Sequence, residues 1–261
     1  MENVFFIGEG KVIMKTLHIH KVMAIAEVKF RALCGKNCII MPIFAIGFTM
    51  MMRFLYQNMS GDGGSEEYLN AYALAMGLVM NIGMTGLYCI SLMLAEEKEK
   101  KTLRVLMTSS VNALEFFVGS VLPVFLVTVI VNYLLMPISG YTITGSNLIL
   151  FSIVTMIGTL ISCIIGMLLG IFAKNQVSTS TLTSPILLLM MLVPMFSSYI
   201  EELKMISPFI FTGAIMDMVM HMAEQVSPAL NIGGILAMII EAVVSIALFV
   251  LIYKRNGYEK E

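Results

Sequence analysis

Glu96-Glu97-Lys98-Glu99-Lys100-Lys101-Thr102-Leu103-Arg104 is the one dense charge cluster in a chain of 261 residues that is otherwise almost continuously apolar. On either side lies an apolar run of membrane length, 72–94 before it and 114–137 after it. A helix needs ~20 mainly apolar residues to cross a ~30 Å hydrocarbon core, so the cluster reads as a surface segment between two spans. Working outward, the same criterion gives further spans at 38–56, 148–173, 183–199 and 231–253. The expected fold is all-α: one polytopic transmembrane domain, 1–261, with six transmembrane helices.

Composition supports this. The chain is 58% hydrophobic and 13% charged, against about 25% charged in soluble domains. A net charge of -1, with Lys and Arg divided among short segments, excludes nucleic acid as a partner, because phosphate binding needs a concentrated basic surface. No apolar core with a small-residue cleavage site precedes the first span, which therefore serves as its own insertion signal.

Six crossings put both termini on one side. Lys11, Lys15, Lys21, Lys29, Arg31 and Lys36 precede the first span, Lys98, Lys100, Lys101 and Arg104 follow the second, Lys174 follows the fourth, and Lys254, Arg255 and Lys260 close the chain. Only Arg53 and Lys204 fall opposite, so the positive-inside rule assigns both termini and the 96–112 loop to the cytosol. The expected location is the cell membrane, a bacterial plasma membrane. Tyr56, Tyr72, Tyr133, Tyr141 and Tyr199 lie near outer span ends, where amphipathic rings prefer the interface.

Before the first span, Val12, Lys15, Ile19, Val22, Met23, Ala26 and Phe30 recur at i+3 and i+4 spacing, which predicts an N-terminal amphipathic interfacial helix over 11–33; a solvated tail is the alternative. His18 and His20 are surface residues in this reading. Between the fifth and sixth spans, 200–230 is apolar in its middle, with Ser207-Pro208-Phe209 and then Ile215, Met218, Val219 and Met222 at helical spacing. Such a strip seeks burial, which predicts short outer helices or a re-entrant segment before the last span.

Chemistry-bearing residues are few. Gly8-Glu9-Gly10-Lys11 lacks the phosphate-loop residues at both ends, Phe5 and Val12 standing where Gly and Ser or Thr are required. Cys34 and Cys38 share a helical face, but no further ligands complete a metal site, so the four cysteines read as free packing residues. No catalytic residue and no bound cofactor is expected. Glu241 is the sole acidic residue deep within a span, a possible intramembrane polar site, where an ionised carboxylate costs at least ~2–3 kcal/mol. It serves as an ion relay, as a hydrogen-bond partner of another helix, or lies nearer the span boundary than it appears. Glu115, at the inner start of the third span, is explained by interfacial hydration and the helix N-terminus. Gly158, Ser162, Gly166 and Gly170, spaced by four, give the fourth span a smooth face for helix packing. Pro123 and Pro194 are candidate kinks.

In the charged loop, Glu96 with Lys100 and Glu97 with Lys101 are i, i+4 pairs, while Leu103, Leu106 and Met107 make an apolar edge; the pattern fits a short amphipathic helix beneath the membrane or an ordinary solvated loop. Glu97-Lys98-Glu99-Lys100-Lys101-Thr102-Leu103 continuing through Leu106, followed by Glu115-Phe116-Phe117-Val118-Gly119, resembles the segment that marks permeases of the type-two ABC exporter (ABC-2) family. The six-span layout, the N-terminal amphipathic helix and Ser-Pro-Phe before the last span resemble that family too. The resemblance implies a membrane-spanning, non-catalytic permease subunit, working as a homodimer with two copies of a cytosolic ABC ATPase that carries ATP and Mg. It places Glu96, Glu97, Lys98, Glu99, Lys100, Lys101, Thr102, Leu103, Arg104, Leu106 and Met107 in a coupling helix seated on the ATPase.

Twenty-five Met residues serve either as an adaptable lining or as generic packing in the lipid phase. Small outer loops and few fixed charges in the spans favour an amphipathic peptide or lipid-like cargo. The alternatives are an ion-coupled secondary transporter or channel using Glu241, and a peptide-binding immunity protein.

Overall fold

The computed structural model describes residues 18–59, 65–101 and 113–256, and among them every regular element is helical. Helix α1 is Ile19–Leu33, and α2 is Lys36–Met59. Next come α3 (Glu66–Asn81), a π-helical turn (Ile82–Tyr88) and α4 (Cys89–Glu99). Helix α5 is Ala113–Ser139, α6 is Ser146–Phe172 and α7 is Gln176–Phe196. A short α8 (Glu201–Ile206), a 3-10 turn (Ser207–Phe209), α9 (Phe211–Ala223) and α10 (Ile232–Asn256) complete the described chain.

Six of these segments are long and apolar enough to cross a membrane: Cys38–Asn58, Glu66–Glu99, Leu114–Ser139, Ser146–Phe172, Gln176–Phe196 and Ile232–Leu251. The chain is an all-α multi-pass membrane protein. The second span is longer than the apolar run alone predicts, because α3, the π turn and α4 stack end to end and polar residues at both ends join the helix. Its entry is fixed by Ser65, whose side-chain oxygen accepts the Tyr68 amide, an N-cap that satisfies one orphan donor.

This span is the hub of the bundle. Its most apolar window is 89% buried, against 22% for the first span and 28% for the last. Helices α2, α5, α6, α7 and α9 all pack on it. Leu74, Leu78, Ile82, Leu87, Ile90 and Leu94 are fully buried, whereas much of α2, α7 and α10 presents Ile, Leu, Phe and Val outward. In lipid such faces carry no penalty, so helices associate through close packing and hydrogen bonds rather than through burial of apolar surface.

The segment after α7 folds back: α8 with its 3-10 turn meets α9 at 105°, and α9 buries Phe211, Ile215, Met218 and Val219 against α3, α6 and α7. At the start of the chain, the buried face of α1 is Val22, Ile25, Ala26, Lys29 and Leu33, while Ile19, Met23 and Phe30 are exposed. The apolar spacing groups Ile19, Met23 and Phe30 with the packing residues; the structure divides them into a second strip facing away from the bundle. Residues 11–17 of the expected helix lie outside the described residues.

Candidate functional site

The charged cluster lies at one end of the bundle, with α1 and the α6–α7 turn beside it. Its first four residues belong to α4, which continues unbroken from the second span, ends at Glu99 and is closed by Lys100; Lys101 adopts a left-handed φ of 57°. Residues 96–99 of the expected 96–112 coupling region thus form the end of a span. Thr102, Leu103, Arg104, Leu106 and Met107 lie outside the described residues.

Three of the charged residues at the end of α4, Glu97, Lys98 and Glu99, each reach a different element. Glu96 Oε1 and Lys100 Nζ are 2.5 Å apart along the helix. Glu97 turns to α1 instead of pairing with Lys101: its Oε2 is 2.7 Å from Lys29 Nζ. Lys29 is only 2% exposed, and its ammonium also stands 5.2 Å above the Phe116 ring of α5. Burial pushes the Lys29 ammonium down from its ordinary range, and the neighbouring Glu97 carboxylate pulls it back up. Lys98 donates to the Ile171 carbonyl and, at 3.0 Å, to that of Ala173, occupying orphan acceptors at the C-terminus of α6. Glu99 Oε2 accepts the Gln176 amide at the N-terminus of α7 at 3.3 Å, where a negative charge also suits the helix dipole.

A second contact ties α1 to the third span. The His18 amide donates to Glu115 Oε1 at 2.9 Å, and His18 Nδ1 is 2.9 Å from the same oxygen. Glu115 is 1% exposed, so burial beneath α1 and the His18 contacts replace the interfacial hydration expected for it. Gly119 explains how α1 comes so near: a Cβ there would stand 2.8 Å from Ile25 Cβ and 2.9 Å from the Val22 carbonyl oxygen. The absent side chain is what lets the two helices touch backbone to side chain.

Three residues of the stripe on α6 face the hub and the fourth faces α9. A Cβ on Gly166 would lie 2.4 Å from the Leu87 carbonyl oxygen, and one on Gly170 would lie 2.9 Å from Leu94 Cβ. Gly158 meets Ile215 of α9, and Ser162 donates to the Ile82 carbonyl at 2.7 Å. That last bond supplies a donor where the π turn changes the backbone ladder.

Beside it is a buried polar network with no forecast from hydropathy. Asn81 donates to the Thr128 carbonyl at 2.9 Å and to Asn132 Oδ1 at 2.8 Å, while Thr85 donates to Asn81 Oδ1 at 2.8 Å. Asn132 reaches Thr159 at 3.4 Å, so one network joins α3, the π turn, α5 and α6. Two Asn side chains inside otherwise apolar runs were the available signal. Glu241, on α10, accepts the Phe211 amide through Oε2 at 2.8 Å and thereby caps α9.

A sequence profile for the family described as ABC-2 family transporter protein matches residues 54–251. The chain belongs to that family. This ABC-2 permease is accordingly the membrane-spanning subunit of an ABC transporter, and family membership implies an ABC ATPase as its partner. No curated protein matches the permease at a significant level. The matched region holds the hub, the α4 cluster, the Gly119 contact and Glu241, while α1 precedes it.

Proposed function

We propose that the permease forms the translocation path of an ATP-driven exporter, as two copies bound to two copies of a cytosolic ATPase, with both termini and the 96–107 segment in the cytosol. ATP and Mg act on the ATPase, and this chain contributes no catalytic group. The cargo is an amphipathic or hydrophobic molecule, a peptide in the first instance.

One observation carries the coupling reading: the end of α4 is bonded at once to α1, to the last carbonyls of α6 and to the first amide of α7. A displacement applied at Glu96–Glu99 therefore reaches three other helices through hydrogen bonds and ion pairs rather than through compliant loops. For nucleotide to drive the change, the ATPase must bind two arrangements of this end with different affinity. Glu241 holds the α9 N-terminus, which supports a scaffolding role over an ion relay.

The test is reconstitution. The permease co-purified with its ATPase should import a labelled amphipathic peptide into inside-out vesicles in the presence of ATP. Leu103→Asp with Leu106→Asp should abolish peptide-stimulated ATP hydrolysis while leaving the permease folded. Unaltered stimulation, or transport that follows a proton gradient and ignores ATP, would overturn the reading.

A further inference from the structure

The opposite end of the bundle holds a cavity, apolar over most of its wall but carrying several polar side chains, that the coupling reading does not use. It has a volume of about 220 Å³ and is bounded by the end of α7, by α8 and its 3-10 turn, by α9 and by the start of α10. Its chemistry comes from Lys204, Asp217, His221 and Asn231, with Pro208 and Leu230 among the apolar walls. Asp217 and His221 share a face of α9 by their i, i+4 spacing.

The carboxylate is the informative group. Asp217 is partly buried, and neither Lys204 nor His221 lies within ion-pair distance of it; the four ion pairs among the described residues are elsewhere. His221 Nδ1 is 3.1 Å from the Ala229 carbonyl. A carbonyl only accepts, so Nδ1 carries a proton. The cavity thus offers one anionic acceptor, the Asp217 carboxylate, and one fixed cation, Lys204. A ligand matching them carries an N–H-rich cation joined by a short link to an anion.

Its surroundings choose the source. Single membrane-length helices end at Phe196 and begin at Ile232 on either side of the cavity, and the bent pair Glu201–Phe209 and Phe211–Ala223 between them is apolar enough to dip into the bilayer, an arrangement that suits the headgroup boundary. Neighbours of its lining residues are exposed apolar side chains: Tyr199, Met205, Ile206, Phe209 and Ile232. Acyl chains, not water, suit these side chains. The volume is below the ~300–1,000 Å³ typical of pockets that enclose drug-sized ligands, which fits a headgroup alone.

We infer that this cavity binds a phospholipid whose zwitterionic headgroup ends in a primary ammonium, with the ammonium on Asp217 and the phosphate on Lys204. The inference does not rest on the ATPase reading. Phosphatidylethanolamine has the required N–H donors, whereas phosphatidylcholine has the same charges and none.

Native mass spectrometry of the delipidated full chain, titrated with either lipid, tests this. Phosphatidylethanolamine should bind about tenfold more tightly, the size of one charge-assisted hydrogen bond. Asp217→Asn should erase the preference, Asp217→Glu should restore part of it, and Lys204→Gln should weaken both lipids alike. Water-soluble phosphoethanolamine should compete poorly. Equal binding of the two lipids to the unaltered chain overturns the proposal whether or not any variant folds. So does a preference that survives in Asp217→Asn, phosphoethanolamine binding as tightly as the lipid, or displacement of the lipid by an amphipathic peptide at equal concentration.

Discussion

Lys29 and Glu97 show how much one pair can decide at the charged end of the bundle. Both side chains are withdrawn from solvent, 3% and 15% exposed, so removing one takes from the other the counter-charge that offsets its burial. Lys29→Met should destabilise the folded permease by ~3 kcal/mol, read as a fall in the thermal unfolding midpoint in detergent. The double variant Lys29→Met with Glu97→Gln should recover much of that loss, since replacing a buried pair as a whole is often nearly neutral. At the other end, Glu241→Leu leaves the Phe211 amide without its acceptor and should cost ~1–3 kcal/mol, while Glu241→Gln keeps an acceptor and costs less; the same melting measurement separates them. Some of this was readable from residues alone. Glu241 stood out as a carboxylate in an apolar run, but its partner is thirty positions away and no local spacing names it. Lys29 reads as one more basic residue before the first span, because a buried lysine is recognised only once its counter-charge and aromatic neighbour are placed.

Among the elements, the π turn at Ile82–Tyr88 has the largest leverage. It sits within the hub, and hydropathy cannot reveal it, because a widened helix has the same composition as a regular one. Deleting one residue there, Met84, should convert the π turn to ordinary α-helix, in which six residues turn about as far as seven π residues, so α4 keeps its orientation and its partners. Deleting Ser91, in the α-helical stretch below, should instead rotate the end of α4 by ~100°, one residue's turn in a helix of 3.6 per turn, so that Glu97, Lys98 and Glu99 miss Lys29, the α6 carbonyls and Gln176. The expected result is a partner ATPase that still responds to substrate in the first variant and no longer does in the second, measured as stimulation of ATP hydrolysis. Helix α1 offers a second test. Gly119→Leu drives a side chain into Ile25 and the Val22 carbonyl, so α1 should detach and become cleavable by trypsin at the exposed Arg31, with Gly119→Ala intermediate. Both elements contrast with the six spans, which were legible because apolar runs of 18 or more residues have few other uses. The length of the second span was legible only in part, since Glu66, Glu67 and Glu96–Glu99 are helical through caps and partners rather than through hydropathy.

On the scale of the whole molecule, the fold is one enclosed helix surrounded by others that show their apolar sides. The first span is held at its far end by Arg53, which donates to the Ile138 carbonyl at 3.0 Å, and nearer its middle by the close approach of Thr49 to Gly77. Because little else of α2 is buried, Arg53→Ala should loosen this span specifically, seen as faster hydrogen exchange in 38–58 without loss of protection in 66–99. The clasp of Lys98 and Glu99 across the α6–α7 turn has an equally broad effect. Three residues, Ala173 to Asn175, join those two helices, and a third helix grips both sides of the joint. Spans two, four and five are therefore fastened into a single stiff block at that end, and relative motion is left to the lightly held first and last spans. The permease has fewer independent parts than it has crossings, and an engine pulling on the block would swing it as one limb.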